Sequence, residues 1–161
     1  MPLDRHRSIH LAIGPGGVFV IDSKQYRGQL QLDPTGRLWH GRFPLAPALR
    51  AVSFEADQAA LVLTDPDVVV VPVMAIHGTQ VPWGKVVVDG VPVMPARRLP
   101  SMLRALPAVL GPERVAVLAD QARVRFHAAA KLPRRRLNAG LAGGRLPRSG
   151  TVRISSYFRT L

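Results

Sequence analysis

The sequence predicts an α/β domain, a sheet with helices packed on it, and three observations carry that expectation. Residues 9–13 and 18–24 are β-branched and apolar on either side of Gly14-Pro15-Gly16-Gly17, which is strong turn chemistry, so the segment reads as a β-hairpin. Val52, Ala56, Ala59, Ala60 and Leu63 recur at helical spacing, and so do Val115, Leu118, Ala119 and Ala122, which predicts amphipathic helices to cover the strands. At 161 residues, with 47% hydrophobic and 20% charged side chains, the chain suits one globular domain with a real core.

The four-residue turn sets the register of the hairpin. Ile13 then faces Val18, His10 faces Ile21 and Ile9 faces Asp22. Because strand side chains alternate between faces, Val18, Val20, Asp22 and Lys24 share one side of the sheet, and Phe19, Ile21 and Ser23 share the other. Asp22 and Lys24 therefore project together. A carboxylate offers hard oxygens to Mg²⁺, and a neighbouring ammonium can orient or help deprotonate a water and offset charge building on a phosphate. The Asp-x-Lys spacing by itself is equally that of a surface ion pair at a strand end.

The remaining elements follow in order. Arg27-Gly28 ends the second strand. Residues 29–32 and 37–40 alternate around Asp33-Pro34-Thr35-Gly36, so a second hairpin is expected to extend the sheet. Residues 42–48 hold two prolines and are expected to be loop. A helix over 52–63, with Ser53 as N-cap, should pack on the sheet; Glu55 and Asp57 lie off its apolar stripe, on an expected solvated face, and Gln58 lies near them. Residues 68–76 predict a buried strand in which Pro72, lacking an N–H, indicates an edge or a bulge. Asp89-Gly90 between valine runs predicts a type I′ hairpin over 85–94. Leu99, Met102, Leu103 and Leu106 make a short helical stripe, stopped by Pro107. Gly111-Pro112 opens a further helix with proline at its first position. From Lys131 onward the glycines and arginines predict a flexible tail, and residues 151–158 alternate too weakly to predict a strand. The organisation expected is a domain over 1–130 and a basic tail over 131–161.

Charge is unevenly spread. The net charge is +12, yet residues 1–130 hold 14 basic against 10 acidic side chains, while the last 31 residues hold eight basic and no acidic ones. Such an arm suits phosphate contact by counterion release. An arginine-rich coding bias produces the same excess, since 19 of the 22 basic residues are arginine. The absence of cysteine excludes disulfides and thiolate metal sites. The longest apolar run, residues 68–76, is far short of a bilayer span, and the first ten residues are polar, so a cytoplasmic protein with no membrane partner is expected. There is no P-loop, no GxSxG and no dinucleotide fingerprint. None of the five histidines stands in a ligand or triad spacing. Trp39, Trp83 and Tyr26 are aromatics able to stack on bases, and Tyr26, two residues beyond Lys24, is the one retained as a binding candidate with Arg27, Arg134, Arg135 and Arg136.

The run HLAIGPGGVFVIDSKQYRG resembles the core of the nuclease-related domain (NERD) family, and so do Leu38-Trp39-His40, the helix containing Phe54, VVPVMAIHGTQVPWG at 70–84 and GPERVAVLADQARVRF at 111–126. The resemblance covers about residues 9–130. That family is similar to the PD-(D/E)xK nucleases, which implies a restriction-endonuclease-like α/β fold, a mixed sheet flanked by helices, with Mg²⁺ or Mn²⁺ as cofactor and nucleic acid, DNA foremost, as partner. By this resemblance Asp22 and Lys24 are the catalytic candidates, and Asp22 and the backbone carbonyl of Ser23 the metal ligands. Two family features are missing: a glutamate-bearing helix before the first strand, for which residues 1–7 leave no room, and an aspartate before the histidine that matches His10, where this chain has Ile9. Two function classes follow, a metal-dependent phosphodiester hydrolase weakened by Ile9, and an inactive nucleic-acid-binding or interaction module on the same fold.

Overall fold

The structure, a computed structural model, describes the backbone of residues 8–131 and 151–156 and the side chains of residues 9–126. Nine strands and three α-helices are present among these residues. The strands are β1 (Ser8–Gly14), β2 (Gly17–Gln25), β3 (Leu30–Leu32), β4 (Leu38–His40), β5 (Phe43–Pro44), β6 (Val70–His77), β7 (Val86–Val88), β8 (Val91–Pro95) and β9 (Thr151–Ser156). The helices are α1 (Ala46–Leu63), α2 (Leu99–Ala105) and α3 (Pro112–Lys131).

Six strands form one mixed sheet in the order β7-β8-β6-β2-β1-β9. Strands β2, β6 and β8 run parallel, β1 and β7 run against their neighbours β2 and β8, and β9 runs parallel to β1. The first hairpin has the register its turn dictates, with Ile9 opposite Asp22, His10 opposite Ile21 and Ile13 opposite Val18. Asp89 and Gly90 both take positive φ, 51° and 76°, as the type I′ turn between β7 and β8 requires.

The sheet is covered on both faces. On one, Leu11, Ile13, Val18, Val20, Met74 and Ile76 pack with Leu49, Val52, Ala56 and Ala59 of α1 and Val115, Leu118 and Ala122 of α3. On the other, Phe19, Ile21, Val73 and Ala75 pack with Leu99 and Leu103 of α2. Helix α3 is also pinned to the end of α1: the Arg114 guanidinium meets Asp65 at 2.7 Å, and Arg125 donates to the Thr64 hydroxyl at 2.8 Å. The guanidinium beside Asp65 holds that carboxyl below its ordinary range.

Three expectations are corrected, and that for Pro72 is met locally. Helix α1 begins at Ala46 rather than near Val52, because Pro47 stands in its first turn, where a missing N–H costs nothing; Leu45 is the N-cap and Ser53 lies inside the helix. The hairpin β3–β4 joins β5 in a separate three-stranded sheet and does not extend the main one. Pro72 lies in an interior strand, but β8 pairs with β6 only from Met74 onward, so β6 has a single neighbour at Pro72. Residues 151–156 form β9 on the outer side of β1, so the segment beyond residue 130 returns to the sheet. A strand at the sheet margin is set by backbone pairing with a distant partner, which local alternation does not report.

Asp33 organises the small sheet. Its carboxylate accepts from the Thr35 N–H (2.9 Å) and hydroxyl (2.6 Å), the Arg37 N–H (3.0 Å) and the Trp39 indole N–H (2.9 Å). Those donors, the Thr35 hydroxyl foremost, hold the carboxyl far below its ordinary value of 3.8. A group depressed on folding contributes stability that is whole above its unfolded pKa and lost as pH falls toward the folded one. The Trp39 environment is therefore expected to stay constant from neutral pH down to about 4 and to change below it. Indole emission should follow that course, and Asp33→Asn should remove the acid dependence; a titration unaltered in the variant would assign the transition to other carboxyls.

Candidate active site

Asp22 and Lys24 lie near the carboxyl end of β2, and their strand places them where alternation requires. Val18 and Val20 of the same set are in the core under α1 and α3, whereas Phe19 and Ile21 face α2. Asp22 has no exposed surface and Lys24 is 7% exposed. The Lys24 Nζ stands 3.6 Å from Asp22 Oδ2, so the two form a buried ion pair.

In the sheet, the cross-strand neighbours of the pair are apolar. Ile9 on β1 faces Asp22 and is itself buried, at 8% exposure; on the other side Asp22 is in register with Met74, and Met74 with Val93. Lys24 stands in the row Lys24, Ile76, Pro95 across the three parallel strands. Ser23 is paired on both sides, with Ser8 and Ala75, so its carbonyl lies in the plane of the sheet while the Asp22 carboxylate rises from the face.

Glu55 departs from its expected solvated position. Both of its carboxylate oxygens are shielded from solvent, on the helix that packs over β2 and β6, whereas Asp57 is exposed and Gln58 half-buried. The helical stripe of Val52, Ala56 and Ala59 marks only the centre of the buried face, and Glu55, three residues after Val52 and four before Ala59, lies on its flank.

Compared with known protein families, curated proteins and solved structures, the chain matches none. Among the described residues no group of three or more His, Asp or Glu side chains is placed to hold a metal ion. A divalent cation at Asp22 meets that carboxylate, the Lys24 ammonium 3.6 Å from it and Ile9 opposite. That donor set suits a hard cation that keeps most of its waters and is held weakly.

Of the binding candidates, Tyr26 is half-buried and packs against the core, its ring centroid 4.7 Å from that of His40. Its N–H donates to the His77 carbonyl at 3.0 Å, and the His40 imidazole is hydrogen-bonded to the Arg27 carbonyl. Tyr26 and His40 thus join the two sheets. The backbone is tight here: a Cβ on Gly78, which has φ of 81°, would stand 2.5 Å from the Tyr26 carbonyl oxygen, so only glycine fits. The Arg27 side chain is exposed at the same end of β2. Arg134, Arg135 and Arg136 lie outside the described residues. No described helix is long and apolar enough to cross a membrane.

A cleft of about 530 Å³ opens at the carboxyl ends of β6 and β8, lined by Ile76 and Pro95 from the Lys24 row and by His77, Thr79, Arg97 and Arg98. Among the described residues, no acidic one lines it. Crevices at the carboxyl ends of parallel strands are where open α/β sheets bind ligands. Nothing in the local sequence marks Arg97 and Arg98; their placement follows from the end of β8, which delivers the Ala96–Arg98 turn to the same edge as His77.

Proposed function

We propose that this chain is a nuclease-related domain of restriction-endonuclease-like fold that hydrolyses phosphodiester bonds of nucleic acid, DNA foremost, with a divalent ion it holds only weakly. The observation that supports the reading is the Asp22–Lys24 pair on one face of β2, at 3.6 Å, near the carboxyl end of an interior strand of a mixed sheet flanked by helices. The resemblance of residues 9–130 to the NERD family supports it as well.

The roles follow from the chemistry of the two side chains. Asp22 would hold Mg²⁺ or Mn²⁺, with the Ser23 carbonyl as a further oxygen donor, and the ion when bound supplies Lewis acidity toward a phosphoryl oxygen. Lys24 orients the attacking water and offsets the charge that gathers on the phosphate. The net charge of +12 draws a polyanion to the surface. A second reading, an inactive nucleic-acid-binding module on the same fold, is favoured by Ile9 opposite Asp22 and by the complete burial of that carboxylate.

The deciding assay offers linear, circular and single-stranded substrates to the full chain in Mg²⁺ and in Mn²⁺. Slow metal-dependent cleavage that Lys24→Ala reduces by about a hundredfold or more, the scale of losing one preorganised charge, is the expected result. Turnover equal in the variant would remove Lys24 from the chemistry, and binding without turnover under every condition would select the second reading.

A further inference from the structure

Next to Gly84, which lines the cleft at the ends of β6 and β8, stands Trp83, and that residue is placed in an unusual way. It is 84% exposed, the most exposed of the large hydrophobic side chains among the described residues. It also sits in left-handed backbone, φ 52° and ψ 18°, where a bulky side chain is a true outlier. An indole normally buries most of its area in a core, and this one buries almost none. Trp39 shows the contrast, being partly buried with its indole N–H donated to Asp33.

The neighbours of Trp83 are complementary to a polyanion. A second cleft, about 730 Å³, shares Thr79, Gln80 and Val81 with the first and has Trp83 on its wall. The two clefts adjoin along Thr79, Gln80 and Val81. The Arg98 guanidinium reaches the backbone next to Trp83: a Cβ on Gly84 would stand 2.8 Å from its Nη1, and the φ of 74° at Gly84 favours glycine there. Arg97 and Arg98 are both exposed, and among the described residues no acidic side chain lines either cleft. The groove therefore offers an unpacked aromatic face flanked by guanidinium groups.

We propose that this groove binds a single-stranded polynucleotide, with one base stacked on Trp83 and the adjoining phosphates neutralised by Arg97 and Arg98. A duplex keeps its bases stacked and paired, so the indole can be used only by a strand whose bases are free, and stacking is tolerant of base identity. The cleft wall shares the row of Lys24, Ile76 and Pro95, so a strand seated here passes the end of β2. The inference rests on the reading of the chain as a nucleic-acid protein and adds to it the form of the substrate and the residues that hold it.

The test titrates dT and rU oligomers, and a duplex of the same length, into the full chain and into Trp83→Ala and Arg97→Gln/Arg98→Gln, reading anisotropy of the labelled oligomer and emission of the protein. Because Trp83 is exposed, its replacement leaves the core intact, which circular dichroism checks. Quenching of indole emission by a single-stranded oligomer is expected, with loss of that quenching and about tenfold weaker binding in Trp83→Ala. The salt slope of that variant should be unchanged, while the arginine variant should keep the quenching and flatten the slope by about 1.4, at roughly 0.7 for each phosphate contact on a single strand. Either oligomer behaving so supports the site, and their relative affinity assigns DNA or RNA. No quenching with Trp83→Ala binding as tightly as the parent, or a duplex that binds more tightly than both oligomers, overturns it. Trp83-dependent binding without hydrolysis would leave this groove standing while the hydrolase reading falls; Lys24-dependent hydrolysis without Trp83-dependent binding would do the reverse.

Discussion

Replacing Ile9 by aspartate is expected to turn a weak divalent-metal site into a measurable one and to raise cleavage by on the order of a hundredfold, the scale on which single preorganised groups act in hydrolytic sites. Position 9 is the direct antiparallel partner of Asp22. Opposed side chains in such a pair have Cβ atoms about 4.5–5.5 Å apart, a span that one cation bridges between two carboxylates. In the parent chain Asp22 sets one formal charge against two on the ion, and Mg²⁺ gives up water reluctantly, so binding to the free protein should be feeble. The substitution also has a cost that metal should relieve. Ile9 is a core residue beside Leu11 and Val20, and exchanging it for a carboxylate that faces another should destabilise the metal-free fold by about 3 kcal/mol. Calorimetric titration of Mg²⁺ and Mn²⁺ into both forms, with thermal unfolding in each ion, gives a readout independent of turnover. Heat of binding and a metal-dependent rise in melting temperature should appear in Ile9→Asp alone. Vigorous cleavage by the parent chain, lost in Lys24→Ala, would show position 9 to be dispensable.

That prediction depends on a register that could be read before any coordinates. Residues 9–13 and 18–24 carry a strong β signal, and a glycine-rich turn of four residues leaves one pairing that keeps both apolar faces inside, so Ile9 opposite Asp22 followed from local chemistry. The same alternation put Asp22 and Lys24 on one face. What escaped was non-local. The weak pattern of residues 151–156 gave no hint that β9 lies beside β1, because a marginal strand is specified by its partner. The two prolines of residues 42–48 suggested loop, although Pro47 in a first turn is a helix start. Glu55 looked solvated since helical periodicity locates the middle of a buried stripe and not its width. The exposures of Tyr26 and Trp83 were hidden for a similar reason. Proximity in sequence to Lys24 favoured Tyr26, yet the separate sheet brings His40 against it, while the turn Pro82–Gly84 leaves Trp83 in solvent. Exposure of an aromatic depends on what the rest of the chain folds over it.

The largest stability effect is expected at the Asp22–Lys24 pair, and its size separates a functional arrangement from a structural one. Both groups are buried, Asp22 entirely, and taking two charges from water is repaid only in part by their attraction across 3.6 Å. Deleting one charge is worse than deleting both. Lys24→Met deprives a buried carboxylate of this ammonium and should lower stability by about 3–5 kcal/mol, and Asp22→Leu should do the same to the ammonium. The double variant Asp22→Leu/Lys24→Met fills the same strand positions with apolar groups of similar volume, between Ile9, Met74 and Ile76, and should return to within about 1 kcal/mol of the parent or exceed it. Urea unfolding of the four proteins closes the cycle, with constant m-values confirming that the same transition is measured. A double variant that is as stable as the parent but neither binds metal nor cleaves nucleic acid would mean that the pair is retained at a thermodynamic loss for its chemistry. If the double variant instead falls by the sum of the single losses, the two charges are uncoupled and each is held by other neighbours, and burial of Asp22 and Lys24 as a pair ceases to argue for a site.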